Sequence, residues 1–148
     1  MIFVTVGTHE QQFNRLIEEI DRLKGNGTIK DEVIMQTGYC TYKPKYCKWS
    51  ELLPYDQMLE NVEKADIVIN CLPGTAATKG LLNKHRLCLM KEKAFLVNVG
   101  RGNVIDTEAL VSVLKDGHLG GVALDVVDPE PLPEDHPLWH MEKVVLTP

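Results

Sequence analysis

Along the whole chain the hydrophobic pattern switches between two periods. Residues 2–6 form a short apolar run closed by Gly7, the mark of a buried strand. Phe13, Leu16, Ile17, Ile20 and Leu23 then share one helical face, and Gly25-Asn26-Gly27 stops that helix. Further strand-like runs cover residues 32–37, 47–49, 66–70, 94–99, 121–126 and 144–146. Between them lie a helix over 55–64 with Met58, Leu59 and Val62 inward, and a helix or irregular turn over 78–90. A further helix is capped by Asp106, carries Glu108 in its first turn, and runs to Lys115 before Asp116-Gly117 ends it. Residues 39–48, 73–75 and 129–137 read as loops.

Strands alternating with helices imply βαβ units and a parallel sheet, and right-handed crossovers leave few ways to wind it. The expected fold is α/β: a doubly wound parallel sheet, Rossmann-like, in a single three-layer domain over residues 1–148. The strand order is 3-2-1-4-5-6, with room for a seventh strand at the edge. A chain of 148 residues with 44% hydrophobic and 25% charged residues has the length and composition for one such core.

Charge narrows the partners. The net charge is −5 and no basic stripe appears, which argues against nucleic acid. No apolar run approaches the roughly 18 residues of a membrane span, and the first residues read as a strand rather than a signal peptide. A cytoplasmic protein without direct membrane insertion is the expectation, with a homo-oligomer compatible. Cys40, Cys47, Cys71 and Cys88 form no C-x-x-C pair, so reduced thiols and no metal site are expected.

In such a sheet the loop after the first strand meets the ligand at a helix N-terminus. Here it reads Val6-Gly7-Thr8-His9-Glu10-Gln11-Gln12. A dinucleotide fingerprint needs G-x-G-x-x-G, so that the backbone can approach a pyrophosphate, and only Gly7 is present. At the end of the second strand, where an acidic residue would hold a ribose, stands Gln36-Thr37-Gly38. Read directly, the first half is a poor NAD site.

The residues just quoted, together with Phe13-Asn14-Arg15-Leu16-Ile17, Tyr39 and Tyr55-Asp56-Gln57-Met58, carry a resemblance. Residues 1–70 resemble the small nucleotide-sugar-binding subunits of two-part glycosyltransferases, such as the bacterial exopolysaccharide β-1,4-galactosyltransferases. The resemblance implies that Gly7, Thr8 and His9 lie beside a UDP-sugar donor, and that a membrane-associated partner subunit exists. That family continues with a His-Gly-Gly segment after strand four, whereas this chain continues Asn70-Cys71-Leu72-Pro73-Gly74-Thr75.

From about residue 66 a second resemblance takes over. The stretch from Leu72 through Pro73, Thr75 and Thr78 to Gly80, then Asn98-Val99-Gly100-Arg101-Gly102 with Asp106, and Asp125-Val126-Val127-Asp128-Pro129-Glu130-Pro131, are similar to the cofactor domain of D-2-hydroxyacid dehydrogenases. The resemblance implies that Pro73, Thr75 and Thr78 pack on the adenosine side of NAD, that Val99 and Gly100 lie against the cofactor, and that Asp125 contacts the nicotinamide amide. Arg101 would hold the substrate carboxylate, a task suited to the guanidinium fork. Glu130 would raise the pKa of a catalytic histidine and orient it. That histidine is expected directly after Leu146-Thr147-Pro148 and is absent, which leaves Arg101 and Glu130 vestigial; His136 and His140 do not occupy its place.

Together the two resemblances predict a hybrid domain with a junction near residues 65–71 and no native catalytic activity, a domain that requires no cofactor and would hold NAD or a UDP-sugar only weakly. The alternatives are a nucleotide-binding remnant of a dehydrogenase and a UDP-sugar glycosyltransferase subunit. Plainer roles stand beside the functional ones. Gly7, Gly100 and Gly102 could serve turns alone, and His9 and Asp125 could cap or pair locally. Arg101 and Glu130 could be solvated charges, His85 and His118 could sit on helix surfaces, and Trp49 and Trp139 could be packing anchors.

Overall fold

The computed structural model describes residues 1–6 and 12–147. Among the described residues there are seven strands: β1 (Ile2–Thr5), β2 (Val33–Gln36), β3 (Lys48–Ser50), β4 (Ile67–Asn70), β5 (Phe95–Asn98), β6 (Gly121–Leu124) and β7 (Val144–Leu146). All pairings are parallel, in the order β3-β2-β1-β4-β5-β6-β7. The helices are α1 (Asn14–Gly25), α2 (Tyr55–Lys64), α3 (Lys84–Leu89) and α4 (Thr107–Lys115). The expected doubly wound sheet is present, seventh strand included.

Alternation within the strands divides the core into two. Phe3, Val68, Leu96, Val122 and Leu124 point to the side covered by α3 and α4, where Leu87, Leu110, Val113 and Leu114 meet them. Val4, Val33 and Met35 point to the other side, where Ile17 and Ile20 of α1 cover them. β1 and β4 join in continuous register, Ile2 against Ile67 through Thr5 against Asn70. Residues on both sides of the expected junction therefore belong to one sheet.

The segment 78–90 departs from a single helix. Residues 76–80 form turns closed by Gly80 at φ 60°, a conformation that suits glycine, and α3 begins only after Asn83 caps it by accepting from the Arg86 amide at 3.0 Å. Two short 3-10 helices, Gly102–Val104 and Pro137–His140, carry no periodic signal and were not expected. Trp49 and Trp139 are exposed rather than core anchors. Their indole N–H groups instead pin loops, donating to the carbonyls of Pro44 at 3.1 Å and Pro133 at 2.8 Å.

Candidate functional site

The C-terminal ends of β1, β4, β5 and β6 point to one end of the sheet, where ligands of such folds bind. Two buried asparagines organise that end. Asn70 and Asn98 close β4 and β5 at paired register positions, and the Asn70 amide donates to the Asn98 side-chain oxygen at 2.9 Å. The Asn70 oxygen accepts from the Leu72 amide at 3.3 Å, and the Asn98 oxygen from the Gly100 amide at 3.2 Å. The Asn98 amide donates to the Arg101 carbonyl at 3.2 Å. One side-chain pair thus shapes the loops that leave both strands. Sequence reasoning missed it; the available signal was an asparagine ending each of two adjacent apolar runs.

The glycines of the Gly100-Arg101-Gly102 turn do more than turn the chain. A Cβ on Gly100 would lie 2.6 Å from the Leu72 carbonyl oxygen, and one on Gly102 would lie 2.0 Å from that of Val127. The three loops after β4, β5 and β6 therefore touch backbone to backbone. A Cβ on Gly74 would lie 2.7 Å from the Asn103 side-chain oxygen and 3.2 Å from Arg101 Cγ, so the loop after β4 lies across the arginine stem.

A crevice of about 270 Å³ opens between these loops, lined by Val6, Gln12, Phe13, Pro73, Val99, Gly100 and Arg101 among others. Arg101 is exposed, and its guanidinium contacts the Gly100 carbonyl at 3.0 Å. A separate cleft of about 330 Å³ holds Asp125 and Glu130 together with Leu132, Trp139 and Thr147. Asp125 has a fixed place there: its amide bonds to the Asn98 carbonyl at 3.0 Å, and its carboxylate accepts from the Thr147 hydroxyl at 2.6 Å. A larger groove of about 1020 Å³ along α1 joins Val99, Asp125 and Thr147.

The remaining candidates divide. Thr75 and Thr78 line none of these spaces; their hydroxyls lie 3.1 Å apart, and the Thr78 hydroxyl accepts from the Thr75 amide at 2.8 Å, so both stabilise the turn after Pro73. Glu130 is exposed. Gly7, Thr8 and His9 lie outside the described residues. His136 accepts from the Leu138 amide at 3.3 Å and caps the second 3-10 helix, and His140 is exposed. His85 is exposed, as expected, while the His118 ring pairs with the Met90 carbonyl at 2.9 Å. Cys71, which lines the 270 Å³ crevice, is pushed up to about 12 by burial and stays a thiol. Among the described residues no group of three or more His, Cys, Asp or Glu is placed to hold a metal, and no helix is long and apolar enough to cross a membrane.

Gly100 and Arg101 line one crevice, and the pre-oriented Asp125 lines a separate cleft. At the end of β2 the Gln36 amide is already committed, accepting from the Leu53 amide at 3.1 Å and donating to the Thr5 hydroxyl at 3.3 Å. No carboxylate is offered to a ribose there.

Known proteins share this arrangement. Residues 31–148 match the family described as D-isomer specific 2-hydroxyacid dehydrogenase, NAD binding domain. A glyoxylate reductase of Thermofilum pendens is 52% identical over 87 residues, 59% of this chain and 26% of that protein. A putative 2-hydroxyacid dehydrogenase of Haemophilus influenzae is 41% identical over 126 residues, 82% of this chain and 39% of that protein. The chain therefore spans well under half the length of these relatives. A D-isomer specific 2-hydroxyacid dehydrogenase from Xanthobacter autotrophicus Py2, in complex with NADPH and MES, superposes with a TM-score of 0.77 at 28% identity, covering 100% of this chain and 57% of that one.

These findings correct two expectations. The family match begins at residue 31 and runs through the supposed junction at 65–71, so the findings support neither a chimera nor a glycosyltransferase segment. Both families wind the same sheet, so short likenesses in β1 and β2 do not separate them. The expectation that no cofactor is required also falls, since the matching family is an NAD-binding domain and a neighbour of known structure carries NADPH. The match runs unbroken from before β2 to residue 148, and the chain belongs to the D-isomer specific 2-hydroxyacid dehydrogenase NAD-binding domain family.

Proposed function

We propose that this chain is the nicotinamide-dinucleotide-binding part of a D-2-hydroxyacid dehydrogenase. The observation that carries the reading is the Asn70–Asn98 bridge, which draws Pro73, Val99, Gly100 and Arg101 around one crevice with Asp125 beside it. Asp125, held by Thr147, would accept from the nicotinamide amide, and Val99 and Gly100 would lie against the ring. Arg101 would grip the carboxylate of a 2-oxo or 2-hydroxy acid through paired hydrogen bonds. The loop from Pro73 to Thr78 would pack on the adenosine side. When bound, the cofactor supplies the hydride; the chain's own part is to orient it and the substrate carboxylate. Glu130 stands on the same cleft as Asp125, where it would orient and charge a histidine in a longer polypeptide. Several relatives are glyoxylate reductases by name, and a small 2-oxo acid of that kind suits a single guanidinium.

NADH fluorescence titration together with a thermal melt tests this. A ligand that binds only the folded state raises the midpoint. Saturable NADH binding with a raised midpoint is expected, weakened about tenfold in Asp125→Ala, the equivalent of one lost hydrogen bond to a fixed carboxylate. UDP is expected to move nothing. A melt indifferent to millimolar NADH, or raised by UDP instead, overturns the reading.

A further inference from the structure

Asp125 takes its orientation from the two strands that flank its own. Its amide donates to the Asn98 carbonyl at 3.0 Å, which ties the loop after β6 to the end of β5. Its Oδ1 accepts from the Thr147 hydroxyl at 2.6 Å. Thr147 stands just past β7, where its own amide donates to the Leu124 carbonyl at 3.1 Å. The Thr147 hydroxyl also lies 3.4 Å from that carbonyl. It carries a single proton, and the shorter contact, to a carboxylate, claims it. The Asp125 side chain is therefore set by the end of β7 and not by its own loop.

The result is a one-sided group. Oδ1 is engaged, while Oδ2 has no hydrogen-bond partner among the described residues. A carboxylate has no proton to give, so the pair presents a ligand with an acceptor held in one direction. Asp125 and Thr147 line both the 330 Å³ cleft and the 1020 Å³ groove, and Val99 lines that groove as well. A ring lying against Val99 can bring a substituent to Asp125. A carboxamide offers this acceptor two N–H donors, whereas a carboxylate substituent offers only negative charge and is repelled at contact distance. Both side chains are exposed. The bond between them is worth little to folding in water and gains strength as a ligand displaces that water.

Resting on the cofactor reading above, we propose that Thr147 is a positioning residue whose hydroxyl sets Asp125 as a one-sided acceptor and so selects a carboxamide-bearing pyridine ring over its carboxylate analogue. Thr147 acts through Asp125. The ligand class is a dinucleotide whose ring carries a primary amide, and the acid form of the same dinucleotide is rejected.

Titration calorimetry of the parent chain, Thr147→Val and Thr147→Ser tests this with three probes: NAD, nicotinic acid adenine dinucleotide, and ADP-ribose, which lacks the ring. The parent is expected to bind NAD more tightly than ADP-ribose, and the acid analogue no better than ADP-ribose. Thr147→Val keeps the branched shape and removes the hydroxyl. It should weaken NAD about fivefold, the equivalent of one hydrogen bond, and leave ADP-ribose unchanged. Thr147→Ser should restore the parent affinity, and the melting midpoint of each free variant should match the parent's. A purely structural role would weaken NAD and ADP-ribose together, and that result overturns the proposal. So does a parent that binds NAD no better than ADP-ribose or than the acid analogue, or a Thr147→Val chain that keeps the full preference for NAD; the cofactor reading survives each of these. A parent that binds neither NAD nor ADP-ribose overturns the cofactor reading and this proposal with it.

Discussion

Asp21 is a charged residue buried inside the fold, 1% exposed on α1. Its carboxylate accepts from the Tyr42 hydroxyl at 2.9 Å and from the amides of Lys45, Tyr46 and Cys47 at 2.9, 2.8 and 3.1 Å. Burial alone would raise its pKa, but these donors together outweigh burial and hold it below the ordinary value. The stability it contributes is therefore complete above about pH 4, the unfolded value, and is lost as pH falls through the lower folded value. Asp21→Ala should cost about 3 kcal/mol at neutral pH, because several donors are left without a partner. Urea melts at pH 7 and pH 3 check this: the difference between parent and variant should shrink at the lower pH. Nothing in the helical pattern of residues 13–23 distinguishes this aspartate from a solvated one, because its partners come from the aperiodic loop 42–47. Gly102 contrasts with it, since the sequence shows a glycine and the structure shows why. Gly102→Ala would drive a methyl into the Val127 carbonyl and should destabilise by about 1–3 kcal/mol, read as a lower denaturant midpoint.

At the scale of elements, periodicity located the strands and α1, α2 and α4 well. α4 starts where Asp106 accepts from the Ala109 amide at 3.0 Å, a cap visible in the sequence. Asp106→Ala should cost about 1 kcal/mol, seen in thermal melts, with the sheet intact. The stretch 78–90 was legible only as helix or irregular turn. There the chain spends residues 76–80 on turns, because the Gly80 amide and the Leu82 amide bond to the Asn103 and Val104 carbonyls at 2.8 and 2.9 Å, outside any helix. The Asn70–Asn98 pair acts between elements. Asn98→Ala would leave the Asn70 amide and the Gly100 amide without their acceptor, and should cost about 2 kcal/mol. The same change should loosen Gly100 and Arg101, so NADH titration of the variant should show weaker binding than stability loss at saturating fold would explain.

At the scale of the molecule, the strand order and single sheet follow from alternating periods and right-handed crossovers, which act on neighbouring residues and need no knowledge of partners. The sequence by itself determined the doubly wound sheet, its order, the Asp106 cap of α4, and the identity of Arg101, Asp125 and Glu130 as candidates. It did not determine lineage across residues 31–70, since two families share that winding and only similarity over a long stretch separates them. The tertiary structure alone decided which candidates share a space. It placed Pro73, Val99, Gly100 and Arg101 on one crevice, Asp125 and Glu130 on the next, and gave Thr75 and Thr78 to their own turn. The physical reason is range: propensity, period and capping are local, whereas a buried carboxylate's donors and a glycine's close approach depend on residues brought together only when the chain closes.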